Sequence, residues 1–300
     1  GNEFFHANTP AAFQHKKTLV QILYIWSKCN LSIGYKQGLH EIVGLIYLNL
    51  HAESIIIPNT NTISKEDMAI LRLFNVKYLA HDVFVIFNKF ALELTVCTRF
   101  YDVELGLTAS VLSFNALLMK TDQLLHYTLT NKLKIELQLW VIRYWRLLLS
   151  RELGSLEMSS KLWDKFVVLQ PLTALPTLID CVIITMLIHI KTILLTDDFS
   201  EALLHLLHYP IDQVAGKYHS TAAFIDSIYK DAFQMFERRD NDLKLYEYGA
   251  KLSGKYNKNI TITFEYGAKK PAQTREELVK FEKMRLEMRL KKRAQEMIKK

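Results

Sequence analysis

The chain has 300 residues, 50% hydrophobic and 23% charged, which excludes a disordered polymer and leaves room for one large domain or two ordinary ones of roughly 150 residues. Ten glycines and six prolines are too few for a turn-rich β-sandwich or barrel, and three scattered cysteines (Cys29, Cys97, Cys181) make neither a disulfide framework nor a zinc site. The net charge of +7 lies wholly in residues 268–300, with 12 Lys and Arg against 5 Asp and Glu; residues 1–267 hold 26 of each, which excludes a general nucleic-acid surface.

Gly1 stands where an initiator Met is expected, so the chain reads as a piece of a longer protein, and no signal-peptide pattern opens it. The cysteine usage fits a reducing compartment.

Apolar residues then recur at helical spacing. Leu19, Ile22, Leu23 and Trp26 trace one face. Residues 34–42 interrupt the rhythm, and 51–65, with Pro58 and an Asn/Thr cluster, read as a loop. Val83, Phe87, Phe90 and Leu94 trace a second face, and 107–119, 134–150, 156–169, 178–195, 199–208 and 220–237 read as further helices. Short polar joints between them predict a compact all-α array, with no fixed repeat of solenoid length. Pro176–Leu195 is the most apolar stretch. It carries Asp180, His189 and Lys191, which are costly in lipid, so it reads as a buried core helix.

Residues 259–267 alternate strictly, Ile260, Ile262, Phe264 and Tyr266 against Thr261, Thr263 and Glu265, as a strand does. After Pro271, Thr274 followed by Glu277 opens a basic helix. Residues 268–300 offer two readings. They attach to an anionic membrane or acidic partner, or Leu278, Phe281, Met284 and Met288 fold back on the body.

Conventional catalytic motifs are missing, and His205 and His208, three apart among leucines, read as surface or capping histidines. Cys97 and Cys181 read as small core residues. One segment stands apart: Gly34-Tyr35-Lys36-Gln37-Gly38-Leu39-His40-Glu41-Ile42. Flanking glycines let the backbone approach another surface closely, and Gln37 sits where the next helix starts. A plain helix–helix turn is the competing reading.

Tyr35-Lys36-Gln37-Gly38-Leu39-His40-Glu41 resembles the YxQG motif of TBC-domain Rab GTPase-activating proteins. A second block, Trp140 to Arg146 with Arg151-Glu152 and Trp163-Asp164, resembles the family's LRW…EF…WD stretch. Softer matches at 78–84, 181–191 and 206–210 follow in order, so the resemblance spans about 1–238. It looks closest to a sub-group with a retromer-associated mammalian member and fungal Gyp-type proteins.

The resemblance implies a two-lobed helical domain that acts on a GTP-bound Rab GTPase. In such a pair an arginine stabilises charge on the transferring phosphoryl group and a glutamine orients the attacking water. Gln37 matches the glutamine, Tyr35 and Gly38 are expected to fix its turn, and Asp82 and Arg143 are expected to support the site. The arginine motif falls just before Gly1, and no arginine occurs until Arg72. Either the chain starts after that finger or the protein lacks one. Arg72 and Arg99 receive no such role, and Arg143 and Arg146 read as packing or ion-pair residues beside Trp140 and Trp163.

The expected organisation is a TBC-like helical domain over 1–246, an extended segment over 247–267 and a basic helix over 268–300. The expected function is a Rab activator rather than an enzyme, with a catalytically silent scaffold as the rival. It needs no cofactor of its own, because GTP and Mg belong to the partner. Retromer or another coat protein is a further expected partner, an anionic membrane reached through 268–300 another, and nucleic acid is not. The expected location is cytoplasmic, at Golgi or endosome membranes.

Overall fold

Capping chemistry sets where the helices of the computed structural model begin. It describes residues 3–6, 8–57, 63–94, 96–102 and 106–258, all in one unit, Gly1–Ile260; the other, Thr261–Lys300, lies outside the described residues. The expected strand at 259–267 and the helix after Thr274 therefore lie outside them too.

The first helices are α1 (Glu3–His6), α2 (Pro10–Cys29), α3 (Leu39–Glu53), α4 (Lys65–Leu73) and α5 (Leu79–Asn88). Thr9 caps α2 by accepting from the Ala12 N–H at 3.1 Å, and Pro10 follows at a position where a missing N–H costs nothing. Ser64 caps α4 in the same way. Then come α6 (Val96–Phe100), α7 (Gly106–Thr121), α8 (Gln123–Tyr127), α9 (Val141–Arg146) and α10 (Leu156–Val167). The last are α11 (Leu175–His189), α12 (Lys191–Thr196), α13 (Phe199–Leu207), α14 (Ile211–Ala215), α15 (Thr221–Phe236) and α16 (Asp242–Tyr256), with Asp198, Ser220 and Asn241 as caps of α13, α15 and α16.

The fold is an all-helical, two-lobed array. No sheet occurs among the described residues; one parallel bridge joins Ile55 to Asn75 beside the expected loop. Helices α2, α3 and α5 pack together, and α11 forms the axis of the other group, against α15, α16 and α7. The Leu172–His189 stretch is long and apolar enough to cross a membrane, yet 78% of it is buried in the array. Asp180 within it accepts from the Trp145 indole N–H at 2.7 Å, and just beyond its end the Lys191 ammonium donates to Asp122 at 2.6 Å and to Ser253 at 2.8 Å. Cys97 and Cys181 are buried, as their apolar neighbours suggested, and Cys29 is exposed.

Three expectations are corrected. The single helix expected over 134–150 is broken into a 3-10 turn (Leu137–Leu139), α9 and a further turn. There Leu148 and Leu149 take left-handed φ of 48° and 64°, which ends any helix. The helix expected over 178–195 breaks at Ile190, where Lys191 turns inward to Asp122. The extended segment expected from 247 is helical through Tyr256, because α16 packs on α7 so closely that a Cβ on Gly249 would meet the Thr121 carbonyl oxygen.

Candidate functional site

The turn that presents Gln37 is built by two left-handed glycines. Asn30 ends α2, its backbone N–H donating to the Trp26 carbonyl at 3.0 Å, and Gly34, at φ 63°, donates back to Asn30 at 2.8 Å. Gly38, at φ 107°, starts α3. A Cβ there would lie 2.8 Å from the Tyr101 hydroxyl and 3.2 Å from Leu147 Cδ2. Only glycine lets the start of α3 approach Tyr101 this closely. Between the glycines the side chains of Tyr35, Lys36 and Gln37 are exposed, and the Tyr35 hydroxyl lies 2.9 Å from His40 Nδ1 across the turn.

Gln37 stands at the rim of an open cleft of about 360 Å³, whose walls include Glu41, Leu139, Arg143, Arg146 and Arg151. Each arginine has fixed partners. Arg151 Nε and Nη2 donate to the two Glu41 carboxylate oxygens, 2.8 Å each. Arg143 pairs with Glu152 at 2.8 Å and donates to the Leu207 carbonyl. Arg146 donates to the Phe100 carbonyl at 2.9 Å and lies 5.0 Å from the Tyr101 ring centre. Tyr101 in turn donates to the Arg146 carbonyl at 3.2 Å, which locks the residue under Gly38 to the cleft wall.

Electrostatics follow from burial. The Glu152 side chain is fully buried, and burial raises its pKa while the Arg143 charge lowers it. Hydrogen bonding to Glu41 holds Arg151 firmly cationic. The left-handed Leu148 and Leu149 redirect the chain after α9 so that 151 and 152 face opposite ways, one to the cleft and one to the core. Trp163 fixes this bend by donating to the Leu148 carbonyl at 2.8 Å. The result is an uncharged amide at the edge of a guanidinium-lined wall. Such an amide can accept from water and donate to an anionic oxygen, and the wall favours an anionic or acidic surface opposite.

Of the residues singled out from sequence, the structure brings Tyr35, Gln37, Gly38 and Arg143 to this cleft region. Asp82 is elsewhere: it lines a separate pocket of about 320 Å³ with Leu73, Phe74 and Val85, and its nearest ionic partner is His81 at 3.4 Å. Its place on the α4-facing side of α5 keeps it away from Gln37. Sequence reasoning missed the Glu41–Arg151 pair. Both residues stand in the two motif blocks, but 110 positions of separation hide their contact. His205, read as a surface histidine, pairs with Asp197 at 2.8 Å, and among the described residues no three metal-ligating side chains converge.

The structure thus defines an all-helical array with an exposed glutamine turn beside an arginine-lined cleft. Residues 4–194 match the family described as the Rab-GTPase-TBC domain, and the chain belongs to that family. It is 27% identical over 231 residues to TBC1 domain family member 5 of Mus musculus, covering 68% of this chain and 27% of that protein. The Homo sapiens protein of the same name is 26% identical over 231 residues, covering 68% and 28%. The chain thus spans about a quarter of the length of these relatives. In fold it is similar to the crystal structure of the Ypt/Rab-GAP domain of Gyp1p, with a TM-score of 0.59, 20% identity, and coverage of 78% of this chain and 71% of that one.

Family membership overturns one expectation. TBC-domain GAP proteins like the relatives found are enzymes acting in trans, which contradicts the expectation of an activator that is not an enzyme.

Proposed function

We propose that the chain accelerates GTP hydrolysis by a GTP-bound Rab GTPase docked over the Gln37 cleft. In this reading the Gln37 carbonyl accepts from the attacking water and its amide donates to a phosphate oxygen. Water bonds to the γ-phosphorus, the bond to the bridging oxygen breaks, and GDP and phosphate leave. GTP and Mg are the GTPase's own. The observation that carries the reading is the exposed Gln37 on a turn that two left-handed glycines and the Gly38–Tyr101 approach hold in place.

The cleft arginines, each committed to a carboxylate or carbonyl, serve the wall and the docking surface. Gln37, Tyr35 and Gly38 form the presenting turn, with Arg143 behind it. Retromer or another coat protein is a second partner, at the cytoplasmic face of Golgi or endosome membranes, where the basic residues 268–300 add attraction to anionic lipid.

The test is a panel of GTP-loaded Rabs, assayed for phosphate release with this chain, with a chain extended upstream, and with the extended chain carrying Gln37→Ala. Release by this chain or by the extended one, lost with Gln37→Ala, supports the reading. Rab binding with no release from any of the three is the result expected of a catalytically silent scaffold.

A further inference from the structure

Helix α2 is apolar on two opposite sides. Ala12, Ile22 and Trp26 are buried in the body, whereas Phe13 (70% exposed), Val20 (65%) and Tyr24 (62%) project outward. At about 100° per residue, Phe13, Lys17, Val20, Tyr24 and Lys28 fall within an arc of about 80°. Leu31, 78% exposed, continues the line past the helix end. A surface helix ordinarily turns charged residues of both signs outward and keeps its large apolar ones inside. This one does the reverse on its free side.

The charge around the stripe has one sign. No Asp or Glu occurs between Glu3 and Glu41, while Lys16, Lys17, Lys28 and Lys36 do, in a body where residues 1–267 balance at 26 of each sign. The Lys28 ammonium sits 5.6 Å from the Tyr24 ring centre, so its stem lies along the apolar stripe with the charge at the edge. Beside the stripe, Ile22, Tyr24, Ile25, Ala80 and Phe84 line an open apolar groove of about 580 Å³.

We propose that the outer stripe of α2 is a contact site for an anionic lipid bilayer. Phe13, Val20 and Tyr24 enter the boundary between headgroups and acyl chains, and Lys16, Lys17 and Lys28 meet the headgroup phosphates and carboxylates. Exposed rings and aliphatic chains interleaved with lysines, and no acidic residue, are the composition that an anionic interface recruits. An acidic protein helix would meet the same charges, and no partitioning into the anionic vesicles is the outcome it predicts, which overturns the proposal.

The test uses the full chain carrying Phe13→Trp. The native tryptophans are buried, Trp26, Trp140 and Trp145 at 0% and Trp163 at 4% exposure, so the new indole dominates any contact with lipid. Vesicles of phosphatidylcholine with phosphatidylserine carry brominated acyl chains as quencher. Leu243→Trp, at a site 67% exposed on α16, is the control. Expected are quenching at position 13, none at 243, and loss of both binding and quenching in pure phosphatidylcholine or high salt. Lys16→Glu with Lys17→Glu and Lys28→Glu should lower partitioning on the order of 10²-fold. Binding to vesicles without quenching at 13 overturns the proposal, since residues 268–300 alone would then hold the chain there. Equal quenching at 13 and 243 overturns it as well, as does a stripe that proves covered by a second copy of the chain in sedimentation.

Discussion

Arg151 grips Glu41 in a two-pronged contact, both N–H···O distances 2.8 Å, one turn behind Gln37. The pair joins the first turn of α3 to the bend after α9, so the finger's base and the cleft wall move together. An exposed pair of this kind contributes about 1 kcal/mol or less to stability. Its larger effect is positional. Glu41→Gln should leave the melting temperature nearly unchanged and lower GTPase stimulation by about tenfold, as expected when a reacting group is loosened. An Arg151→Met chain should show the same deficit, with no further loss in the double variant. Additive losses would mean that the two residues act separately.

Gln37→Ala in a chain extended upstream should reduce stimulated phosphate release by about 10²-fold or more, scaled from the contribution of fingers supplied in trans. The side chain is exposed and touches nothing in the core, so thermal melting should not shift. Full activity with normal melting would remove Gln37 from the mechanism.

Gly38→Ala adds a methyl 2.8 Å from the Tyr101 hydroxyl at a residue with φ 107°. Gly34→Ala imposes left-handed backbone too, at φ 63°, but its methyl meets open space. Urea denaturation should show a loss of about 1–2 kcal/mol for Gly34→Ala and a clearly larger one for Gly38→Ala. Adding Tyr101→Phe, which removes the oxygen, should recover part of the difference.

Two buried groups give stability opposite pH dependences. Burial pushes Asp180 up to about 8 from 3.8, so between those values the folded chain keeps a proton the unfolded chain has lost, and stability falls as pH rises. Burial lowers His189 to about 4 from 6.5, so the unfolded chain binds a proton the folded one refuses, and stability falls as pH drops through that range. Neutral His189 donates from Nδ1 to the Thr185 carbonyl and accepts at Nε2 from Tyr218. The two slopes offset each other between about pH 4 and 6.5, and Asp180 acts alone from about 6.5 to 8. Relative to the parent chain, Asp180→Asn should therefore gain stability steadily as pH rises from 4 to 8, measured as the difference in urea midpoints. A difference that does not change with pH would show Asp180 ionised in the fold.

How far the sequence could be read depended on how local each signal was. Gln37 was legible because its turn chemistry, two glycines four positions apart on either side of Tyr-Lys-Gln, lies in one short stretch of sequence. The burial of α11 was legible from Asp180, His189 and Lys191, whose cost in lipid argued for partners inside a protein. The break after Arg146 was not. Three consecutive leucines carry no stop signal, and the left-handed backbone of Leu148 and Leu149 is imposed from outside by burial and by the Trp163 hydrogen bond. Asp82 looked like a site residue from the company it keeps in sequence, but only packing decides which side of α5 faces the cleft. The Glu41–Arg151 contact needed the fold itself.

The kink at Ile190 makes the far end of the helical body a fastener. Asn257, just beyond α16, donates to the Ile188 carbonyl at 2.9 Å and accepts from the Thr192 hydroxyl at 2.8 Å, straddling the break between α11 and α12. Ser253 completes the shell of the buried Lys191 ammonium. A chain trimmed at 246 would strip both partners from the buried α11–α12 junction, and the lysine would face its carboxylate with a donor position empty. The final turn of α16 therefore cannot peel away as a frayed end. It opens only when the α11 junction opens, which ties the last described helix and the buried α11 core into one cooperative melting event.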